Sequence, residues 1–245
     1  MTDQHPPLSE VPPIRGIFNI HKPLGLTSMM VCRVIKGKLK SGGAPKKVKV
    51  GHGGTLDPLA SGVLVVLIGK ATKEQDRIMG TDKAYRAVVD LAHTSESCDM
   101  EFEPVPAEIE REPTIEDVSR VCHQFVGEIE QTPPMYSAIK INGRRAYAMA
   151  RKGEDVEMKS RPARIDSIEI VDYSWPRLEI DIRCGKGTYI RSLARDIGVE
   201  LEVGGMLASL ERTAVGGFLL EDAVTLEEIG EPLDPWDLPT EGLDL

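Results

Sequence analysis

The stretch GHGGTLDPLASGVLVVLIGKATK, residues Gly51–Lys73, joins a glycine-rich turn to the longest apolar run of the chain. That run, Val63–Ile68, is short and rich in β-branched residues, so it predicts a buried strand. A single carboxylate, Asp57, stands on the turn before it. Asp followed by Pro58 is typical of a helix start with Asp as N-cap. A nucleophile would instead need an ionised carboxylate with a cationic partner and a close approach of the backbone, for which the glycines at 51, 53, 54 and 62 leave room. Local chemistry leaves both interpretations open.

Working outward, strand and helix patterns mix without a regular βαβ repeat. Strands are predicted near Gly16–Ile20, Val63–Ile68, Tyr85–Leu91, Arg164–Tyr173, Leu178–Cys184 and Ala208–Val215. Helices are predicted at Ser28–Leu39, Ile115–Val126, Tyr189–Leu201 and Leu226–Ile229, with Thr27 or Ser28 capping the first and Thr114 with Asp117 close to a capping box. Asn142-Gly143 predicts a hairpin turn. The mixture predicts an α+β fold with a large mixed, mostly antiparallel sheet flanked by helices and loops.

Composition indicates an ordinary globular protein. Of its 245 residues, 41% are hydrophobic and 28% charged, and no apolar run reaches the roughly 18 residues of a membrane span. Residues 1–13 are polar and proline-rich and are predicted to form a disordered leader. The four cysteines lie far apart without a CxxC pair, which argues against zinc or a disulfide framework and favours a cytoplasmic location. Without a clear linker, residues 14–237 are expected to form one domain, followed by an acidic tail, 238–245.

The net charge of −9 conceals a strong segregation of charge. Residues 213–245 hold nine of the 39 acidic residues and no basic residue, and the 30 remaining acids match the 30 bases. Segments 31–56, 135–153 and 182–195 hold seven, five and four bases and no acid. One such segment could be a solvated surface, but three together predict a positive face suited to phosphate backbones.

Two familiar small-molecule motifs are incomplete. His52-Gly53-Gly54 is similar to an esterase oxyanion loop, but no G-x-S-x-G nucleophile elbow accompanies it. A dinucleotide-binding loop would need glycine where Leu56 stands, and no P-loop is present. By contrast, CGKGTYIRSLARDIG places Tyr189 and Arg191 two residues apart, and an extended backbone would project both to one side. An aromatic ring with a guanidinium suits stacking on a base and pairing with a carboxylate.

Five blocks of the sequence together resemble the TruB family of tRNA pseudouridine synthases. They are GHGGTLDPLASGVL, KAYRA, TPPMYSAIKINGRRAYAMARKG, GKGTYIRSLARDIG and GGMLASLERTAVGGF, in the family's order and spacing from about Gly16 to Asp237. The resemblance implies the pseudouridine synthase fold with a thumb-like insertion, residues 135–153, that clamps the T stem-loop of tRNA. It implies isomerisation of the uridine at tRNA position 55 to pseudouridine, without a metal or an organic cofactor.

The resemblance also assigns roles to individual residues. Asp57 is the expected nucleophile and Arg191 its ion-pair partner. Substrate contacts are expected from five more residues: His52 near the flipped base, Tyr85 stacked on that base, Tyr189 lining the pocket, Lys186 in the same block, and Leu210.

This chain departs from many members at three places. His21 stands in HKP where members usually carry an acid, and the lysine-rich segment Lys36–Lys49 is longer than in many of them. The chain also stops soon after Asp237, where many bacterial members continue into a small C-terminal RNA-binding domain. We therefore expect a stand-alone, monomeric enzyme that needs no protein partner or membrane. The alternatives are a guide-RNA-dependent subunit, a non-catalytic RNA-binding or RNA-chaperone module and, more distantly, a hydrolase.

Overall fold

The computed structural model describes residues 13–137, 139–141, 143–154 and 158–242. The expected leader therefore lies outside the described residues except for Pro13, as do Asn142 and the last three residues of the acidic tail. The chain forms two compact units, one from the part up to Gly80 together with the part from Ala214 onward, the other from Thr81–Thr213.

Five helices and thirteen strands are defined in the described part of the chain. The strands are β1 Arg15–Lys22, β2 Val50–His52, β3 Ala60–Gly69, β4 Lys83–Asp90, β5 His93–Thr94, β6 Val105–Pro106, β7 Gly127–Gln131, β8 Lys140–Ile141, β9 Arg144–Arg145, β10 Arg161–Ser174, β11 Arg177–Cys184, β12 Met206–Val215 and β13 Phe218–Leu219. The helices are α1 Ser28–Ser41, α2 Gln75–Gly80, α3 Ile115–Gln124, α4 Ala146–Ala150 and α5 Ile190–Glu200. Short 3-10 turns cover Lys70–Glu74 and Leu220–Asp222.

The fold class is α+β, as predicted, with a large mixed, mostly antiparallel sheet flanked by helices. The pairs β1–β3, β2–β3, β4–β11, β10–β11 and β7–β10 are all antiparallel. The longest described helix, α1, has 14 residues. Of the helices in the described ranges, none combines the length and apolar character needed to span a bilayer.

Strand β3 organises the first unit because both of its faces are buried. Leu64, Val66 and Ile68 belong to the cluster that packs against α1. The alternate residues Val63, Val65 and Leu67 belong to a second cluster with Ile17 and Ile78. Since successive side chains of a strand point to opposite faces, burial on both faces requires the continuous apolar run seen in the sequence.

The second unit is built on the strand order β12, β4, β11, β10, β7. Its core joins one face of β4 and β11 to α3 and α5, through buried residues that include Val89, Ile180, Val121 and Leu193. Tyr85, Ile168 and Leu210 are partly buried at the margin of this core.

Most predicted helices are confirmed. Helix α1 begins at Ser28 with Thr27 as N-cap, whose Oγ1 accepts a hydrogen bond from Met30 N (3.1 Å). Helix α3 opens with the complete Thr114–Asp117 capping box, and α5 covers the third prediction to within one residue at each end. The helix predicted at Leu226–Ile229 is wrong, since these residues form an isolated turn.

Candidate functional site

Asp57 lies on a single turn between β2 and β3. Ala60 N donates to Asp57 O (3.1 Å), and the chain then enters β3 instead of continuing as a helix. The helix-start interpretation of Asp57-Pro58 is therefore wrong. One i to i+3 hydrogen bond defines a β-turn, which leaves the half-buried Asp57 between two strands.

The peptide groups around Asp57 are fixed by hydrogen bonds to residues at and just before the start of α1. Leu56 N donates to Ser28 Oγ (2.8 Å), and the same hydroxyl donates to Leu56 O (2.9 Å). Gly25 N donates to Pro58 O (2.7 Å). The carbonyls of residues 56, 57 and 58 thus all accept hydrogen bonds, so the backbone that carries the carboxylate has little freedom to rotate.

Lys22 supports the same region from inside the protein. Its side chain is fully buried, and Nζ donates to Pro23 O (2.8 Å) and Leu26 O (2.9 Å). These bonds close the short loop that contains Gly25, which in turn holds Pro58. Sequence reasoning gave Lys22 no definite role, because the partners are backbone carbonyls that have no signature in the sequence.

The two residues after His52, Gly53 and Gly54, have to be glycine for different structural reasons. Gly53 N donates to Val65 O (2.8 Å), and a Cβ at Gly53 would overlap the side chain of Ile78. Gly54 has φ +134°, a conformation that favours glycine. The expected RNA-contacting residue His52 is the last residue of β2, opposite Val66 of β3, and is half-buried.

In the second unit, Tyr85 and Leu210 border the same core. Tyr85 is on β4, directly opposite Ile182 of β11, and is half-buried. Leu210 is on β12, the neighbour of β4, and packs against the same cluster. Two of the expected substrate-contacting side chains therefore lie on adjacent strands of one unit.

Arg191 is buried in the first turn of α5, so the extended backbone assumed for Tyr189 and Arg191 is wrong beyond Tyr189. Its Nη1 lies 3.4 Å from Asp99 Oδ2 and donates to Ser97 O (3.2 Å), and Nη2 donates to Tyr136 O (3.0 Å). The guanidinium thus connects three chain segments. The expected pairing of Arg191 with Asp57 stays a prediction.

Asp99 is a site residue that sequence reasoning missed. No role was assigned from the sequence to the acidic stretch Glu96–Glu116 that contains it, yet Ser97 and Asp99 are 0% and 7% exposed. Ser97 Oγ donates to Asp99 Oδ1 (2.5 Å), and Glu101 N donates to the same oxygen (2.9 Å). The small residues Ser95, Ser97 and Cys98 were the available signal, because small side chains allow such a tight, buried turn.

Tyr189 and Lys186 lie between β11 and α5. Tyr189 is the N-cap residue of α5, and the buried Gln131 side chain accepts from Tyr189 N (2.8 Å) and donates to Tyr189 O (3.1 Å). Lys186 is exposed on the preceding turn, next to Gly187, whose φ is +83°. Its position leaves the Lys186 ammonium open to solvent.

A buried amine also lies two residues before Tyr85 on β4. Lys83 is 9% exposed and its Nζ donates to Thr81 O. Burial, together with the positive charge of the buried Arg212, lowers the pKa of the Lys83 amine. Lys83 is therefore held closer to neutrality than a surface lysine would be.

In two of the three basic segments, 135–153 and 182–195, arginines form ion pairs with acidic residues. In the expected clamp, the hairpin of β8 and β9 is followed by α4. There Arg144 pairs with Glu154 (2.6 Å) and Arg151 with Glu101 (2.8 Å). In the third segment Arg195 pairs with Asp196 (2.7 Å).

Within the described ranges, no group of three or more His, Cys, Asp or Glu side chains is arranged to hold a metal ion.

The sequence matches two family profiles over most of its length. A profile described as TruB family pseudouridylate synthase, N-terminal domain, matches residues 43–190. A profile described as tRNA pseudouridylate synthase B C-terminal domain matches residues 191–239. This chain belongs to the TruB family of pseudouridylate synthases. The second TruB profile covers a part of the chain that sequence reasoning had assigned to the catalytic domain, and it includes Arg191 and Leu210.

Individual TruB relatives match nearly the whole chain. The tRNA pseudouridine synthase B of Phocaeicola vulgatus is 44% identical over 222 residues, which are 91% of this chain and 94% of the relative. That of Clostridium kluyveri is 45% identical over 215 residues, 86% of this chain and 71% of the relative.

Two solved structures are also similar in fold. A chain of a Cbf5-Nop10-Gar1 complex is 31% identical with a TM-score of 0.67, and the match covers 87% of this chain and 53% of that one. A chain of an H/ACA RNP bound to a substrate RNA containing 2'-deoxyuridine is 28% identical with a TM-score of 0.64, covering 87% and 52%. The TruB chain described here thus spans about half the length of those solved chains.

Proposed function

We propose that this protein isomerises the uridine at position 55 in the T-loop of tRNA to pseudouridine, with Asp57 as the nucleophile. The observation that carries the proposal is the Asp57 turn, held at three successive carbonyls in a chain of the TruB family. Relatives named tRNA pseudouridine synthase B support the choice of tRNA as the substrate.

The reaction conserves every atom of the nucleotide. The bond between uracil N1 and ribose C1' breaks, the base turns, and a bond forms from C5 to C1', while the proton of C5 is lost and N1 gains one. No oxidant, reductant or second substrate is required. The protein must hold a detached base beside a ribose and exclude water, for which a rigid carboxylate is suited.

The uridine has to leave the loop before Asp57 can reach it. Extruding a base costs a few kcal/mol, and stacking on an aromatic ring returns about 1–3 kcal/mol. Tyr85, half-buried at the margin of the second core, supplies that ring. His52, Tyr189, Lys186 and Leu210 complete the proposed substrate contacts.

Asp57 has to remain ionised to act. A guanidinium within about 4–6 Å favours the charged carboxylate, and we assign this role to Arg191. Its burial and its three contacts within the second unit support a fixed guanidinium.

We further propose that the protein acts alone, as a monomer in the cytoplasm, and that residues 135–153 clamp the T stem-loop. Four unpaired, buried cysteines suit a reducing compartment. The exposed Arg144 and Arg145 of the β8–β9 hairpin support contact with a phosphate backbone.

Asp57→Asn tests the chemistry. We expect no pseudouridine in a tRNA transcript incubated with the variant, while its Kd for the same tRNA stays within about twofold of wild type, because the amide keeps the shape but not the nucleophilicity. Asp76→Asn, an exposed acid on α2, is the matched control and retains full activity.

The same assay separates the alternatives. Pseudouridine formed by Asp57→Asn would remove Asp57 from the mechanism. Wild-type activity that appears only after a second RNA is added would indicate a guide-dependent subunit. Tight binding of tRNA by wild-type protein without any isomerisation would indicate a non-catalytic RNA-binding module.

A further inference from the structure

Six cations on and after α1 have no acidic partner within the described part of the chain. They form what we call the lysine surface: Arg33, Lys36, Lys40, Lys46, Lys47 and Lys49. Five are exposed and Lys36 is half-buried. Many surface arginines of the second unit differ, since Arg86, Arg144, Arg151, Arg164 and Arg177 pair with acids.

The backbone that carries the lysine surface is anchored. Ala44 and Val48 are buried in the cluster that contains Ile35 and Leu39 of α1. Ala44 N donates to Leu39 O (2.9 Å), and Val48 N donates to Pro45 O (2.9 Å). Lys46 and Lys47 therefore stand on a defined turn between two buried residues, so the backbone from which their side chains project is fixed.

The acidic C-terminal segment lies against this region and leaves its charges unmatched. Leu233 N donates to Lys38 O (3.1 Å), and Lys38 Nζ donates to Ile229 O (2.6 Å). Exposed acids such as Glu231 and Asp234 are close in sequence to these contacts, yet no described acid pairs with the lysine surface. Because a neighbouring source of carboxylates is not used, the surface is available to an external anion.

The distal part of the lysine surface, from Lys40 to Lys49, is far from Asp57 along the first unit. Helix α1 has 14 residues, so at about 1.5 Å per residue its ends are about 20 Å apart. Ser28, at one end, contacts the Asp57 turn, and Lys40 lies at the other. Strand β3 gives a similar value: Gly69 N donates to Lys49 O, and the 10 residues of β3 span about 30 Å back to the Asp57 turn.

We propose that the lysine surface binds the sugar-phosphate backbone of the substrate tRNA, and that its distal part, Lys40 to Lys49, does so about 20–30 Å from the target uridine, outside the T-loop. At about 3.4 Å per nucleotide along one strand, this distance corresponds to roughly six to nine nucleotides. The inference rests on the proposed function, because it takes tRNA as the substrate and Asp57 as the position of its uridine.

The test compares two RNAs with one triple variant. Lys40→Gln/Lys46→Gln/Lys47→Gln is assayed for Kd by filter binding, over a range of salt concentrations, on full tRNA and on a minimal T-loop hairpin too short to reach the surface. On tRNA we expect Kd at 0.1 M salt to rise about tenfold or more and the salt slope to fall by about 3, one for each lost phosphate contact. On the hairpin neither quantity changes.

A control for the loss of three positive charges removes exposed cations of the second unit, Arg120→Gln/Lys159→Gln/Arg177→Gln, and leaves both values near wild type. An equal rise on tRNA and hairpin, or no rise on either, would overturn the inference. So would binding to phosphatidylserine vesicles that the triple substitution abolishes while tRNA affinity is unchanged. Because the measured quantity is Kd and not the amount of product, a failure of isomerisation would count against the proposed function alone.

Discussion

Ser28 holds the Asp57 turn with one hydroxyl that both donates and accepts. Its partner Leu56 is 3% exposed, so the N–H and C=O that Ser28 satisfies cannot turn to water instead. Leaving buried backbone groups unpaired costs about 1–3 kcal/mol. The turn can lower that cost only by shifting, which would move the carboxylate of Asp57.

We therefore predict that Ser28→Ala lowers kcat by about 100-fold, the scale expected for a displacement near 1 Å, with little change in KM. Thr27→Ala is the matched control, since it removes the adjacent α1 cap at a comparable stability cost of about 0.5–2 kcal/mol without touching Leu56. The measurements are single-turnover and steady-state rates with urea unfolding. Equal losses of kcat in both variants would show that Ser28 acts through stability and is not a positioning residue.

For single residues, the sequence shows which side chains have suitable chemistry more readily than it shows which residues they contact. The glycines, Asp57 and the Tyr189–Arg191 block all attract attention by their chemistry. The residues that hold them do not, because Ser28 and Leu56 are 28 positions apart and Arg191 and Ser97 are 94 apart. Contacts over such separations depend on the register of strands and on packing, which no local pattern encodes.

Helix ends are the elements that the sequence predicts best, because caps are local. In α3, Asp117 Oδ2 accepts from Thr114 N (3.1 Å) and lies 2.9 Å from Arg111 Nη2. The backbone hydrogen bond from Thr114, and then the bond from Arg111, lower the pKa of Asp117 to about 2. The carboxylate thus stabilises the helix in its charged form.

The pH dependence of this contribution has a definite sign. Because the folded pKa is depressed below the ordinary value of 3.8, Asp117 stabilises the fold above that value, and the stabilisation is lost as the pH falls toward about 2. We predict that Asp117→Asn lowers the free energy of unfolding at pH 7, and that its difference from wild type shrinks between pH 4 and pH 2. Urea unfolding at each pH measures it; a constant difference would contradict the assignment. Glu116→Gln, an exposed neighbour, is the control.

A capping signal alone does not make a helix, as residues 225–229 show. Thr225 N donates to Glu228 Oε2 (2.7 Å), and Glu228 N donates to Thr225 Oγ1 (3.3 Å), which reproduces a capping box. Gly230 and Pro232 follow at once, so no further turns form. Nucleating a helix is unfavourable without several turns to propagate it, and the prediction at Leu226–Ile229 failed for that reason.

For the whole molecule, the distribution of charge matters more than the net value of −9. The C-terminal segment carries much of the negative charge, yet it is attached to α1 through apolar contacts. Ile229 is 5% exposed in the cluster of β3 and α1, and Leu233 and Leu238 pack against that cluster. The segment from Ile229 to Leu238 is thus packed into the core of the first unit, and the predicted acidic tail, 238–245, stays a prediction.

We predict that Ile229→Ala lowers the free energy of unfolding of the full chain by about 2–5 kcal/mol, the range for truncating a buried isoleucine. Leu219→Ala, at a position 40% exposed on β13, is the control and costs less than about 1 kcal/mol. Chemical denaturation followed by circular dichroism measures both. Similar small losses in the two variants would mean that the segment contributes little to the core.

The two ends of α1 have an evolutionary consequence. The end at Ser28 is tied to the Asp57 turn, while the end at Ser41 leads into residues that Ala44 and Val48 fasten to the helix itself. Insertions or deletions in the loop between Ser41 and Val48 change the free energy of loop closure by only about 0.6 kcal/mol for each doubling of loop length. The length of this loop, and with it the spacing of the exposed Lys46 and Lys47, can therefore change between relatives while the Asp57 turn keeps its hydrogen bonds to Ser28 and Gly25.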